Sequence, residues 1–484
     1  MAKKKKVKIA ELADGRELEY VEVDDPPAGG MKKTYFAPDR SYVVQFFHDA
    51  EAAHDPQRRE RLENIISKYN PTLSNKDGGA VGNSDVAAQY FKKFFCWPTA
   101  IVEKPEFGIV APTYPGNFFF ASGPWKGQEK KAKFFSYPKC RKHLPADELG
   151  SFARYLQISL VISRAMRRLH QAGLAHSDLS SNNVLIDPTS GRCIIIDIDS
   201  LVVPGLYPPD VMGTPGYIAP EVLATQSLPI SDPNRKHPSI DTDLHALAVL
   251  IYEYLLKRHP LIGPKQHSAV SEEDELLSMG SKALYIEHPT DMSNHPSSLA
   301  FPARLLGGNL VELFERAFVE GLHNPKKRPA AMEWERGLLK TWDKLYICGN
   351  PKCSQQYILN TQDTKCPYCG MKPANKVPVL HLKTERRPGQ WMPDGELVVY
   401  PNYQLYKWHI FDNVSSNETT TDNAPVAYCV FHQGQWLLVN QALNSLTSPS
   451  GKRVEIGQAV ALVHGAQIRL SQSQHGRFIE VEIV

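Results

Sequence analysis

Long apolar runs are missing from this 484-residue chain. The longest, near Ala246–Leu256, contains Glu253 and is too short to span a bilayer, so no membrane span is expected. Cysteine is scarce, 8 residues in all, which excludes a disulfide framework of the kind that holds small secreted domains together. Net charge is small: 55 basic against 52 acidic side chains leave a formal +3, which implies no nucleic-acid or membrane-surface partner. The one dense basic run, Lys3–Lys6, reads as part of a solvated, disordered tail over residues 1–14. No apolar run follows it, so no secretory signal is expected and the chain reads as soluble and cytoplasmic.

Length leaves room for about three domains of ~150 residues. Strand-like alternation runs over Glu17–Val23, Thr34–Ala37 and Tyr42–Phe47, and Arg58–Tyr69 has helical spacing. Thr99–Val102 and Gly108–Val110 are short strand candidates. Asn70–Asp85 and Phe118–Leu144 read as irregular insertions, Leu149–His170 as a long helix, Ser227–Ser239 and Lys265–Pro302 as breaks, and Asn309–Glu320 as a further helix.

Four of the cysteines are clustered. Cys348 and Cys353 precede Cys366 and Cys369, with twelve residues between the pairs. Two close thiol pairs suit a tetrahedral Zn²⁺ site, and the ~30 residues around them, 346–375, are too few to fold on an apolar core alone. With four thiolates there is no open position, so the zinc is read as structural.

The stretch from Leu169 to Glu221 carries the chemistry. Asp178 is followed by Asn183 five residues on and Asp197 fourteen residues after that. Phosphoryl transfer needs this set: one carboxylate to orient the attacking hydroxyl, an amide and a second carboxylate to hold Mg²⁺ on nucleotide phosphates. Gly213-Thr214-Pro215 and Ala219-Pro220-Glu221 close the segment. The stretch resembles the catalytic and activation segments of eukaryotic-type protein kinases. The resemblance implies a bilobal α+β fold over about residues 15–345, with the N-lobe ending near 114. It implies ATP and Mg²⁺ as cofactors and a protein hydroxyl, of Ser/Thr type, as acceptor. Asp178 becomes the catalytic Asp, Asn183 and Asp197 the Mg²⁺ ligands, and Ala219–Glu221 the floor of the substrate site. Asp243 opens an apolar helix like the one that ties down the kinase catalytic loop, and Arg328 resembles the late Arg that pairs with the Glu of Ala-Pro-Glu, here Glu221.

The same resemblance aligns GGMKKTYFAPDRSYVVQFF with the glycine-rich loop and the strand after it. Gly29 and Gly30 then cover the phosphates, while Lys32 replaces the third Gly and Gln45 the usual strand Lys. With-no-lysine kinases have a comparable exchange, so Lys32 is expected to contact phosphate, steered by a helix glutamate, Glu63 or the alternative Glu60. Ala111 aligns as a small gatekeeper, and Pro112 and Tyr114 as the backbone that meets adenine. Ser177 replaces the Arg before the catalytic Asp, so no usual partner exists for a phosphorylated activation segment. Ser180 replaces a γ-phosphate Lys. Asp199 replaces the Gly of Asp-Phe-Gly and either adds to metal binding or faces solvent.

After a linker at 376–390, alternating runs from Leu397 onward predict an all-β domain over 391–484. Gly434, Trp436, Leu438, Asn440 and Asn444 resemble a forkhead-associated (FHA) sandwich, without that family's phosphothreonine-reading Ser and Arg. The order kinase, zinc ribbon, β domain resembles the bacterial kinases of the tellurite-resistance-associated phosphorylation triad. That implies a von Willebrand A-type protein and a metal-dependent phosphatase as partners. Two other readings stay open: a pseudokinase scaffold acting through protein contacts, and a small-molecule kinase, which the Ala-Pro-Glu segment argues against.

Overall fold

A computed structural model describes residues 6–28, 31–49, 55–79, 83–203, 213–229, 231–416 and 423–484. The chain divides into two units, Met1–Gly150 with Gln157–Ser298 and Phe314–Glu335, and Ser151–Leu156 with Leu299–Leu313 and Arg336–Val484.

In the first unit, β1 (Lys6–Leu12), β2 (Glu17–Glu22), β3 (Lys32–Phe36), β4 (Tyr42–Phe47), β5 (Ala100–Lys104) and β6 (Gly108–Pro112) form one antiparallel sheet in the order β2-β1-β5-β6-β4-β3. The disordered tail expected over 1–14 is corrected here, because β1 occupies Lys6–Leu12. Its Ala10 and Leu12 turn into the core, and Lys6 meets Glu22 across the strand pair at 3.2 Å. The lysine run hid a strand whose polar face is satisfied by ion pairs. Gly108 is required where it stands, since a Cβ there would lie 2.2 Å from the Gln45 carbonyl oxygen.

Helix α1 (Pro56–Ile66) starts where Asp55 accepts from the Gln57 amide at 2.9 Å and Pro56 supplies a preset φ at the first helical position. It buries Arg58, Arg61, Leu62 and Ile65, an i, i+3, i+4, i+7 stripe, and the Trp97 indole donates to the Ile65 carbonyl at 2.7 Å. Helix α2 (Asp85–Phe91) follows. The stretch read as an irregular insertion, Phe118–Leu144, contains the short helices α3 (Lys133–Ser136) and α4 (Pro138–Arg141), with Phe135 buried. Helix α5 (Phe152–Gln171) leads into the hairpin β7 (Val184–Asp187) and β8 (Arg192–Ile195). Next come α6 (Pro220–Thr225), α7 (Ile240–Leu256) and α8 (Ser271–Met279), then α9 (Gly308–Glu315) and α10 (Ala331–Trp342). Helix α7 is buried along almost all its length. It begins where the Ser239 amide donates to the Thr242 hydroxyl at 2.9 Å.

In the second unit, the hairpin β9 (Leu345–Ile347) and β10 (Gln356–Ile358) precedes two four-stranded sheets. One is β12 (Gln390–Val398), β11 (Pro378–Arg387), β18 (Phe478–Ile483) and β17 (Gln467–Arg469). The other is β13 (Gln404–Leu405), β14 (Ala427–His432), β15 (Gln435–Asn440) and β16 (Ala459–Ala461), with helix α11 (Lys407–Ile410) after β13. The expected linker at 376–390 is therefore a strand. Pro378–Lys383 pairs with β18 along its length, so the β domain begins about a dozen residues earlier than the sequence suggested. Asn440 is fully buried and bonds to Leu443 and the Val454 carbonyl, which makes it a structural residue of the loop after β15.

Candidate active site

The loop between α5 and β7 is held from below by α7. Asp243 accepts from the amides of His176 and Ser177, at 2.7 and 3.1 Å, and meets the His170 ring at 3.1 Å. Ser177 and Asp197 both sit in the left-handed backbone region, at φ 67° and 58°. Non-glycine residues are uncommon there, and such strain clusters at functional sites. The Asn183 amide donates to the Asp178 carbonyl at 2.8 Å and to its carboxylate at 2.7 Å, which leaves the Asn183 side-chain oxygen for a cation. The amide of Ile196, next to Asp197, donates to the Asn183 carbonyl at 3.0 Å. Asp178 and Asn183 are thus in direct contact, and Asp197 follows the residue bonded to Asn183, with its side chain half exposed.

Thr214 closes the acceptor side. Its hydroxyl donates to the free oxygen of Asp178 at 2.7 Å and lies 3.1 Å from the Ser180 hydroxyl. Thr214 has no site role of its own in the sequence reading, although it stands in the Gly-Thr-Pro segment already singled out. Ala219 and Pro220 are buried, and Glu221 accepts both ends of the Arg328 guanidinium at 2.8 and 2.7 Å.

Lys32 is the first residue of β3, opposite Phe47, and its side chain is buried. The ammonium lies 2.5 Å from Asp199 and 3.4 Å from Asp197. Burial alone would lower its pKa, but the two carboxylates outweigh it and hold the ammonium charged. Glu63 and Glu60 do not steer Lys32. Both lie on the exposed side of α1, off the Arg58/Arg61/Leu62/Ile65 stripe. The solvent-facing alternative for Asp199 is likewise overturned, since that carboxylate is buried against Lys32. The Gln45 side chain donates to the Thr34 hydroxyl at 3.1 Å. Gly29 and Gly30 lie outside the described residues, as do Pro204, Tyr207, Pro208 and Pro209 of the activation segment.

Ala111 is buried on β6 opposite Val43. Cys96, Tyr114 and Ile196 pack against the buried side chains of Phe118, Leu185 and Ile194. The Pro112 carbonyl accepts from the Cys96 thiol at 3.2 Å. Burial first, then the Asp197 charge, push that thiol up to about 12, so it stays protonated. Tyr114 donates its hydroxyl to Glu129. No sequence signal distinguished Cys96 from an ordinary core cysteine.

Residues 138–334 match the sequence model of the protein kinase domain. That part of the chain is similar to protein kinase domains. Similar proteins include the serine/threonine-protein kinase PknD of Chlamydia caviae, 25% identical over 284 residues that cover 54% of this chain and 26% of the relative. The DNA damage-responsive serine/threonine-protein kinase RqkA of Deinococcus radiodurans is 30% identical over 131 residues, 26% of this chain and 18% of the relative. The chain spans about a quarter or less of the length of these relatives. Among solved structures, the kinase domain of a Toxoplasma gondii rhoptry antigen aligns with a TM-score of 0.42 and 15% identity, over 69% of this chain and 86% of that one.

A second candidate site is the thiol cluster. Cys348, Cys353, Cys366 and Cys369 have sulfurs all within 4.8 Å of one another. Cys348 and Cys369 are 3.5 Å apart, Cys353 and Cys366 3.8 Å. Sulfurs at ~2.3 Å from one tetrahedral ion would be separated by ~3.8 Å, so the donor set fits Zn²⁺. Both pairs sit on tight turns, with the Cys353 amide bonded to the Asn350 carbonyl and the Gly370 amide to that of Cys366.

Proposed function

We propose that the chain is an ATP- and Mg²⁺-dependent protein kinase directed at Ser or Thr hydroxyls, with Lys32 in the role of the missing strand lysine. The observation that carries this reading is the position of the Lys32 ammonium, 3.4 Å from Asp197. A cation beside that carboxylate can meet the α- and β-phosphates of a nucleotide whose Mg²⁺ is held by Asp197 and Asn183. ATP supplies the γ-phosphoryl group, and Mg²⁺ offsets its charge. Asp178 orients the acceptor hydroxyl, and the Thr214 bond fixes the rotamer of that carboxylate. The surface formed by Leu185, Ile196, Cys96 and Tyr114 takes adenine, with the backbone of Pro112 and Tyr114 at its edge and Ala111 behind. Gly29 and Gly30 belong to the same proposal as the phosphate cover.

The thiol cluster is proposed as a structural Zn²⁺ ribbon and the C-terminal β domain as a degenerate FHA-like docking module. The domain order further suggests a von Willebrand A-type protein and a metal-dependent phosphatase as partners, in a bacterial stress or signalling system in the cytoplasm. Among the described residues no helix is long and apolar enough to cross a membrane.

The test is incubation of the full chain with γ-labelled ATP, Mg²⁺ and generic acceptor proteins. Label on acceptor Ser or Thr, lost in Asp178→Asn, supports the kinase. Nucleotide binding without transfer favours the pseudokinase scaffold, the reading to which Ser180 in place of a γ-phosphate lysine lends weight.

A further inference from the structure

Helix α1 turns two arginines, not a glutamate, toward the sheet. Arg58 and Arg61 occupy its buried stripe, and the Arg58 guanidinium lies 4.8 Å from the Phe47 ring centre. Lys32 reaches the same ring at 5.9 Å, so Phe47 stands beside both cations. A lysine buried on this side of the sheet gains nothing from α1. Its close carboxylate comes instead from the start of the activation segment, at Asp199.

We propose that Asp199 is the positioning residue for Lys32, doing from the activation segment what a helix glutamate was expected to do from α1. This rests on the nucleotide-binding reading of the site. Three observations separate Asp199 from a metal ligand. Its contact with Lys32 is the shorter of the two, 2.5 Å against 3.4 Å. Its side chain is 8% exposed where that of Asp197 is 47% exposed, so Asp197 is the carboxylate open to an incoming cation. Its backbone is also held independently of α1. Asp199 lies in the single helical turn Ile198–Ser200, closed by the Ser200 hydroxyl on the Asp197 carbonyl at 2.9 Å. Just beyond, Val202 exchanges two backbone bonds with Ala175, at 2.9 and 2.8 Å, ahead of the catalytic loop.

When a metal engages Asp197, the Lys32 ammonium exchanges that weaker contact for phosphate oxygens, and Asp199 keeps hold of it. A buried ammonium stripped of the Asp199 carboxylate as well would be costly and mobile. The nucleotide contact is thereby assembled by the activation segment, with α1 outside the circuit.

The experiment measures binding of a fluorescent ATP analogue to the full chain over a range of Mg²⁺, for wild type, Asp199→Asn, Lys32→Met, the double variant and Glu63→Gln. Asp199→Asn should weaken the nucleotide about tenfold or more, the scale of one misplaced charge-assisted contact. The double variant should bind no more weakly than Lys32→Met alone, because Asp199 acts through Lys32. The double variant also guards against misfolding, since it removes both buried charges together. Glu63→Gln should bind like wild type, and the Mg²⁺ requirement of Asp199→Asn should be unchanged. Additive losses, or a raised Mg²⁺ requirement at full nucleotide affinity, overturn the inference and make Asp199 a structural or metal-binding residue. Wild type that binds no nucleotide overturns the functional reading itself, whereas wild type that binds and Asp199→Asn that matches it overturn this inference alone.

Discussion

Arg328 holds Glu221 through both terminal guanidinium nitrogens, and its own side chain is wholly buried. The same guanidinium also donates to the carbonyls of Gly321, Leu322 and Asp241. It therefore ties the end of the activation segment to the start of α7. Removing one partner leaves a desolvated charge, so Arg328→Met should destabilise the first unit by about 3–5 kcal/mol. Denaturant unfolding checks this, and a change below about 1 kcal/mol would mean the pair is replaceable.

Lys32 and Lys33 are adjacent on β3 and so face opposite sides. Lys32→Ala should weaken nucleotide binding or turnover by about ten- to a thousandfold, the scale of one charge-assisted phosphate contact. Lys33→Ala should have little effect. Isothermal titration with ATP and Mg²⁺ separates the two, and equal affinities would move the weight to the scaffold reading.

Ser177 offers no cation to a phosphorylated activation segment, and Thr214 is already engaged with Asp178. Phosphatase-treated protein should therefore keep its initial rate of transfer. A large drop, restored by phosphorylation at Ser200, Tyr207 or Thr214, would count against this.

The thiol cluster should hold one Zn²⁺ per chain by elemental mass spectrometry. Cys366→Ser should lose the ion and lower the melting temperature of the C-terminal unit, because Cys348 and Cys366 pack with Tyr357, Leu359 and Val379. Metal-free protein with the same melting curve would reject the site.

Glu253 on α7 is fully buried, and the Tyr217 hydroxyl donates to it at 2.5 Å. Burial pushes its carboxyl up from 4.5 to about 8. Between those values the folded protein holds a proton that the unfolded chain has released, so this group makes stability fall as pH rises from about 4.5 to about 8. Above that range its effect levels off. Glu253→Gln keeps an acceptor for Tyr217 and should flatten the slope of unfolding free energy over that window. An unchanged slope would show that the carboxyl is ionised in the folded protein.

What the sequence determined was chemistry carried by short spacings. Asp178 and Asn183 fall within one loop, and the paired cysteines fall on turns, so residue type and separation alone brought the right atoms together. Asp243, Glu221 and Arg328 were legible through their resemblance to a known segment, and the structure pairs them across long separations. Helical phase settles α1: Arg58, Arg61, Leu62 and Ile65 keep one face, which leaves Glu60 and Glu63 on the other. The strand at Lys6–Leu12 was masked by lysines whose charge is met by Glu22 on the neighbouring strand. Pro378–Arg387 read as a linker because its partner, β18, lies at the far end of the domain. Only the tertiary structure could decide the partner of Lys32. That choice depends on the facing of β3, the burial of one helical turn and the polarity of α1, over 167 residues of separation. A buried charge takes whichever opposite charge the packing leaves nearest, and no local pattern in the chain records which one that is.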